Sequence, residues 1–296
     1  MASPPLIQHV SDTAFLVAHH RSSESARPDA LFVDPMAARL AGERGRAIAT
    51  SLRGSRMSAW MVAVRTRLID EYIQQAVARG IDTVVNLGAG LDTRPHRLEL
   101  PAELAWIEVD YPDVIAFKQE RLAGEKPRCR LERVACDLAE GATRRDLLAR
   151  LDARAHRMLI LTEGVVPYLS LDEAAALADD LRALAHVESW IVDYVSPEAM
   201  AYRRRSGVAR QMAQAPFKFE PENWFDFFAR HGWRQREIRY LAIEGARWGR
   251  RAPLPWTARL VSALTRRFAP ADRRARLGKF AGYVLLEPAP PAALAS

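Results

Sequence analysis

From Ile81 to Val195 the sequence repeatedly switches hydrophobic period, and this alternation limits the possible folds more than any other feature. Short β-branched or apolar runs, "DTVVNLG", "LAWIEVDYP", "CRLERVACD", "RMLILTEG" and "ESWIVDYVS", recur at fairly regular spacing. Helical patterns separate them: "PDVIAFKQERLAG", "ATRRDLLARLDA" and "SLDEAAALADDLRALAH". Strand alternating with helix means crossover units and a parallel sheet. A run such as "MLIL", with no polar alternation, suits a strand covered on both faces.

The flanks read differently. Up to about Gly80 the pattern is helical. "SDTAFLVAHHR" has a capping residue ahead of an apolar stretch, "DPMAARLAG" has Asp34 as N-cap and Pro35 in the first turn and stops at Gly42, and "MSAWMVAVRTRLIDEYIQQAVARG" is a long amphipathic helix stopped by Gly80. After Ser196, "PEAMAYRRRSGVARQMA" and "PENWFDFFARHG" read as helices, and "WRQREIRYLAIE" and "FAGYVLLEP" as two late strands. The expected whole is α/β: a doubly wound, mostly parallel sheet with an N-terminal helical addition over residues 1–80, treated as part of the same domain. The core over 81–296 carries insertions at about 197–232 and 245–279.

Composition narrows the function. A chain of 296 residues, 49% hydrophobic, has enough apolar surface for a large core. No run of about 18 apolar residues suggests a spanning helix. "MASPPLIQHVSDTAFLVAHH" lacks a basic start followed by an apolar core, so no signal peptide is expected and a cytoplasmic location follows by default. Cys129 and Cys136 give neither a disulfide framework nor a zinc pattern, and the seven histidines show no paired-ligand spacing, so no metal site is expected. The formal charge of +7 raises nucleic acid as a partner. Only four basic residues are lysines and the arginines are spread along the chain among many alanines, so a compositional bias accounts for the charge more simply. Neither nucleic acid nor membrane is expected as a partner, and the oligomeric state is left open.

The chemistry starts at "VVNLGAGLDTRPHRL". In an open parallel sheet, ligands bind outside the carboxyl ends of the strands, which is where this turn falls. Gly88 and Gly90 remove side chains where backbone passes close to a ligand. A dinucleotide fingerprint needs a third glycine, but Thr93 stands there and Asp92 occupies the tip. A carboxylate suits a cofactor with positive charge better than a pyrophosphate. The second strand ends in Asp110, 22 residues after Gly88, placed to accept both ribose hydroxyls. The third ends in Asp137 and Leu138, a carboxylate for an adenine amine and a backbone N–H beside it. The fourth ends near Glu163. For each acidic residue, capping the next helix or a surface ion pair is the plainer alternative. A ligand with an adenosine, no phosphates and a cationic end fits such a rim, and S-adenosylmethionine has that character.

"VVNLGAGLDTRPHRL", "EVDYPDVIAFKQERL" and "LTEGVVPYL" resemble the leucine carboxyl methyltransferase family. "TAFLVAHHRSSESARPDALFVDPMAARL" and "RTRLIDEYI" resemble its bacterial branch. The resemblance covers most of the first two hundred residues. It implies a Rossmann-like class I methyltransferase that uses S-adenosyl-L-methionine, and some bacterial members act as O-methyltransferases in secondary metabolism. It further implies Arg65 on the methionine carboxylate (with Arg67 as rival), Gly88 along the methionine moiety, Asp110 on the ribose, Asp137 and Leu138 on the adenine, and Glu163 near the methionine end. Arg21 lies near the position of a basic residue that closes the site in eukaryotic members. Asn86 stands where many methyltransferases have an acidic residue and is normal for this family.

Methyl transfer from a sulfonium is an in-line displacement, for which a protein supplies alignment and exclusion of water. A carboxylate acceptor needs no base, whereas a hydroxyl does. No Ser-His-Asp or His-Asp arrangement is visible, so the expected reaction is O-methylation of a small molecule at a carboxylate or an acidic hydroxyl. Tyr168 is the candidate on the acceptor side, and Arg204, with Arg203 and Arg205, is a candidate for an acidic substrate. "NWFDFF" reads as helix-packing core. A nicotinamide-dependent oxidoreductase and a non-catalytic binder of S-adenosylmethionine are the alternatives. A nucleic-acid methyltransferase would show an acceptor loop where this chain has "TEGV".

Overall fold

A computed structural model of the chain describes residues 11–52, 55–205, 214–254, 256–258 and 276–290, together with 265, 267 and 270. Among the described residues seven strands form one sheet: β1 Thr83–Leu87, β2 Ala105–Asp110, β3 Arg130–Ala135, β4 Met158–Thr162, β5 Val187–Val195, β6 Trp233–Tyr240 and β7 Ala281–Pro288. Their order is β3-β2-β1-β4-β5-β7-β6. The pairs β1–β2, β1–β4, β2–β3 and β4–β5 are parallel. Every residue of β1 and β4 is buried, as suits central strands covered on both faces. From β1 the chain builds outward through β2 to β3, then crosses back to place β4 on the other side of β1. The topological switch point therefore lies between β1 and β4, and it opens a crevice at their carboxyl ends.

The helices are α1 Asp12–Ser25, α2 Ala37–Ser51, α3 Ser55–Ala78, α4 Arg94–Arg97, α5 Pro112–Arg121, α6 Gly141–Asp152, α7 Leu171–Arg182, α8 Pro197–Arg205, α9 Trp224–Arg230 and α10 Leu241–Arg247, with a 3-10 turn at Val166–Tyr168. Local chemistry fixes several starts. Pro112 opens α5 at a position where a missing N–H costs nothing. Ser170 and Glu173 close a reciprocal capping box on α7. The Asn223 side chain accepts the Phe225 and Asp226 N–H groups at the start of α9.

Two compact units divide the chain. The first comprises residues 1–68, 194–215 and 239–283, and the second 69–193, 216–238 and 284–296. In the first unit α1 packs on α2, closely enough that a Cβ at Gly45 would lie 2.5 Å from the Phe15 carbonyl oxygen. Arg250 reaches Glu24 and Asp29 there, while its own carbonyl accepts the Trp60 indole N–H. In the second unit the core gathers Trp190, Trp233 and Phe228, with ring centroids of Trp190 5.2 and 5.3 Å from the other two. Both buried indoles find acceptors, Thr162 Oγ1 for Trp190 and the Ala178 carbonyl for Trp233, as buried indole N–H groups require. Trp224, Phe227 and Phe228 of "NWFDFF" are buried in this aromatic group.

Three expectations need correction. "LAIE" is not strand: β6 stops at Tyr240 and Leu241, Glu244 and Gly245 bury one face of α10 at helical spacing. The reading of "DPMAARLAG" holds by contrast: the Asp34 Oδ1 accepts the Met36 and Ala37 N–H groups, and at Gly42, with φ +52° and ψ −159°, the backbone leaves the helical conformation, so Ala37–Ser51 is two helical pieces joined at a kink. A short helix, α4, follows the glycine turn unannounced. The positive charge is also not evenly spread: residues 245–279 hold ten of the 43 Lys and Arg and one of the 36 Asp and Glu, a local +9 that leaves the remaining chain at −2. The helix expected from Pro197 is described to Arg205, and residues 206–213 lie outside the described residues, as do 1–10 and most of 259–275. Among the described residues no helix is long and apolar enough to cross a membrane.

Candidate functional site

The second unit brings four strand ends together at the crevice. At β1, Gly88 (φ +68°) and Gly90 (φ +50°) carry the chain through a conformation that side chains disfavour. The approach that Gly88 allows is close: a Cβ there would stand 2.5 Å from Val165 Cγ2, on the loop that leaves β4. The β1 turn and the β4 loop are thus in direct contact across the switch point.

Asp110, the last residue of β2, reaches back to that turn. Its Oδ2 accepts the Gly90 N–H at 2.6 Å and its Oδ1 accepts the Tyr111 N–H at 2.7 Å. It does not cap α5, because neither donor lies within that helix. Burial pushes the Asp110 carboxyl above the ordinary aspartate range, opposed by those two N–H groups and by the Lys118 ammonium. A carboxylate offers about four acceptor positions. With two taken by backbone, each oxygen keeps one for a donor from outside, such as a hydroxyl of a vicinal diol.

At the end of β3, Asp137 Oδ1 accepts the Ala139 N–H at 2.9 Å, which shapes the turn without capping α6. Leu138 is held by its carbonyl, to which Arg144 donates. Arg144 is itself buried against Asp180 of α7, with Nη2 at 2.6 Å and Nε at 2.9 Å. Among the described residues the Leu138 N–H meets no protein acceptor. A cavity of about 20 Å³, room for one water, lies behind it among Leu138, Arg144, Val165 and Leu177.

Glu163 follows β4 directly, and a group that the sequence pattern did not announce holds it. Arg94, fully buried, donates from Nη1 to Glu163 Oε2 and Asp92 Oδ2, both at 2.7 Å, and from Nε to Asp70 Oδ1 at 2.7 Å. Arg97 grips the same Asp70 with both terminal nitrogens, at 2.7 and 2.8 Å. Burial opposes the Arg94 charge, yet Asp92, Glu163 and Asp70 together keep it protonated well beyond an ordinary arginine. This overturns the expected role of Asp92. It is buried, with Arg94 and the Asn86 amide (2.9 Å) on its Oδ2, so its charge serves the protein and not a ligand. Asn86 suits its strand end for the same reason, since it donates to that carboxylate.

Tyr168 sits in the 3-10 turn after β4, half-buried, with its ring edge-on to Phe217 at 5.1 Å. The remaining candidates belong to the first unit. Arg65 is half-buried on α3, and its charge, after burial and His19, helps push the buried His20 down to about 4. Arg67 lays its guanidinium 4.8 Å from the centre of the Trp248 ring. Arg21 is buried and paired with Asp34 at 2.8 Å. Arg204 and Arg205 are exposed in the last turn of α8 and Arg203 is half-buried. No group of three or more metal-ligating side chains occurs among the described residues.

A seven-stranded sheet in this order, with its loops converging at the β1–β4 switch point, defines the class I methyltransferase fold. It is shared with crystal structures of a DUF574 family protein from Streptomyces avermitilis (TM-score 0.52, 15% identity, covering 94% of this chain and 97% of that one) and of a protein from Thermobifida fusca described as a methyltransferase (TM-score 0.51, 15% identity, 92% and 94%). The chain belongs to the leucine carboxyl methyltransferase family, whose model matches residues 14–182. A Parafrankia sp. (strain EAN1pec) protein named as an S-adenosyl-L-methionine-dependent methyltransferase is 34% identical over 252 residues, 77% of this chain and 78% of that one. A Mycobacteroides abscessus protein of the same designation is 32% identical over 259 residues, covering 76% and 84%. The protein is an S-adenosylmethionine-dependent methyltransferase. The rim suits that cofactor in kind: a carboxylate with two open acceptor positions at β2 and a backbone donor at Leu138.

Proposed function

We propose that the chain methylates an oxygen of a small molecule, and that this oxygen belongs to a carboxylate. The observation that carries the reading is where the histidines of the second unit stand. His156 and His186 lie just before β4 and β5, at the strand ends opposite the crevice. His231 pairs with Asp179 in the last turn of α7 at 2.7 Å. His96 is buried among cations and pushed down to about 4. An acceptor that is already ionised needs none of them, whereas an alcohol needs a base.

The cofactor supplies an activated methyl group on a sulfonium that leaves without taking a proton. The residues of the chain supply positions. Asp110 accepts the ribose hydroxyls, and the Gly90 and Tyr111 N–H groups fix both of its oxygens beforehand. Asp137 and the Leu138 N–H take the adenine edge. Gly88 leaves the methionine moiety its path, with Glu163 near its end. Tyr168 is read as a wall on the acceptor side. The setting is soluble and cytoplasmic in this reading, and secondary metabolism supplies the acceptor.

Turnover of methyl-labelled S-adenosylmethionine with a fractionated metabolite extract tests the acceptor. A methyl carboxylate releases labelled methanol in mild base. A product that keeps its label in base, as an ether or methylamine does, would contradict the carboxylate.

A further inference from the structure

The cluster around Arg94 is larger than an arginine at a helix start needs. It ties α3 through Asp70, the β1 turn through Asp92 and the rim of β4 through Glu163. Three carboxylates and two guanidinium groups meet within hydrogen-bond distance. Their burial is unequal: the side chains of Asp70 and Asp92 are 9% and 8% exposed, that of Glu163 is 14%. Glu163 also stands at the carboxyl end of β4, directly after the strand and two residues before Val165, which approaches the Gly88 turn. The next residue is fixed as well, since the Gly164 N–H donates to Asp193 at 2.9 Å.

We infer that Arg94 is a positioning residue for the amino-acid end of the cofactor: it fixes Glu163 in place to receive the α-ammonium group. This rests on the cofactor placement proposed above and extends it to a residue that touches no ligand. A guanidinium with its Nε and one terminal nitrogen committed to three carboxylates holds Glu163 in one orientation, which a flexible ammonium cannot reproduce. Truncating it removes that hold on Glu163, and the loss should fall on the part of the ligand that Glu163 meets.

The experiment is calorimetric titration of the full chain with two ligands. S-adenosylhomocysteine carries the amino-acid end, and 5′-methylthioadenosine shares the adenosine and lacks that end. Arg94→Met should weaken S-adenosylhomocysteine by about tenfold or more, as expected for a lost charge-assisted contact, and methylthioadenosine by less than about twofold. Glu163→Gln, which leaves Arg94 with Asp70 and Asp92, should give the same selective loss, so a poorly folded Arg94→Met does not end the test. Arg94→Lys should recover only part of the affinity. Equal weakening of both ligands by Glu163→Gln and Arg94→Lys, or no change in either, overturns the assignment of Arg94 alone. A wild-type chain that binds methylthioadenosine and not S-adenosylhomocysteine overturns the cofactor placement, and the assignment falls with it.

Discussion

Asp110 and Gly88 make opposite demands on a substitution. Asp110→Asn keeps the side-chain volume but turns one acceptor oxygen into a donor facing a backbone N–H. It should weaken S-adenosylhomocysteine binding by about ten- to a hundredfold, the loss of about 1.5–3 kcal/mol of charged hydrogen bonding; unchanged affinity by calorimetry would show that Asp110 serves only the Gly90 turn. Gly88→Ala meets both a positive φ and Val165 Cγ2 at 2.5 Å. It should cost about 1–3 kcal/mol of stability in denaturant melts, and adding Val165→Ala should restore only part, because the backbone conformation stays. Both residues are legible in sequence, since a glycine turn after a strand and an acid at the next strand end are local patterns. Arg94 is not legible. Its partners Asp70 and Glu163 lie 24 and 69 residues away, and no periodicity links such positions. Asp92 is different: its partners Arg94 and Asn86 stand two and six residues away, but the burial that turns its charge inward is set by the distant groups packed around Arg94.

At the scale of elements, the parallel sheet and most helices follow from hydrophobic period and caps, whereas buried charge networks between elements do not. One joins β2, β3 and α5: Glu108 lies wholly buried with Lys118 at 2.8 Å and Arg133 at 2.9 Å. Lys118→Met removes one partner of a buried carboxylate and should cost about 3 kcal/mol, the lower end for a broken buried pair because Arg133 remains; a loss below about 1 kcal/mol in denaturant titration would contradict it. His96, on α4, stands beside this network. Burial first, then Arg133 and Lys118, push it down to about 4 from an ordinary 6.5. The unfolded chain therefore binds the proton that the folded chain refuses. The stability this contributes is present in full above about pH 6.5 and falls as the pH drops toward about 4. Melting temperature between pH 7.5 and 5 should decline, and His96→Gln should flatten the decline. His20, also held near 4, leaves a residual slope. Parallel curves for the two proteins would remove His96 from the account.

For the molecule as a whole, the family membership accounts for the cofactor, and the sheet order supports the place proposed for it. The late segments were the least legible: "LAIE" followed a strand without a break in apolar character, and only the burial of Leu241, Glu244 and Gly245 makes it a helix. Saturating S-adenosylhomocysteine, at a hundredfold its dissociation constant, should stabilise the folded chain by about 2.7 kcal/mol and raise the melting temperature by several degrees, and NAD should not. A second concavity supplies a direct alternative to the proposed site. About 350 Å³ of space opens at the amino ends of β1, β2 and β3, lined by Thr83, Ala105, Arg130, Glu132, Leu151 and Arg154, and its volume falls in the range of small-molecule pockets. The decisive measurement is a crystal structure of the chain with S-adenosylhomocysteine. The account predicts the ribose hydroxyls within hydrogen-bond distance of the Asp110 carboxylate and the adenine beside Asp137 and Leu138, at the carboxyl ends of the strands. Adenosine bound at the amino ends, against Arg130 and Arg154, or a ribose that leaves Asp110 untouched, would contradict it.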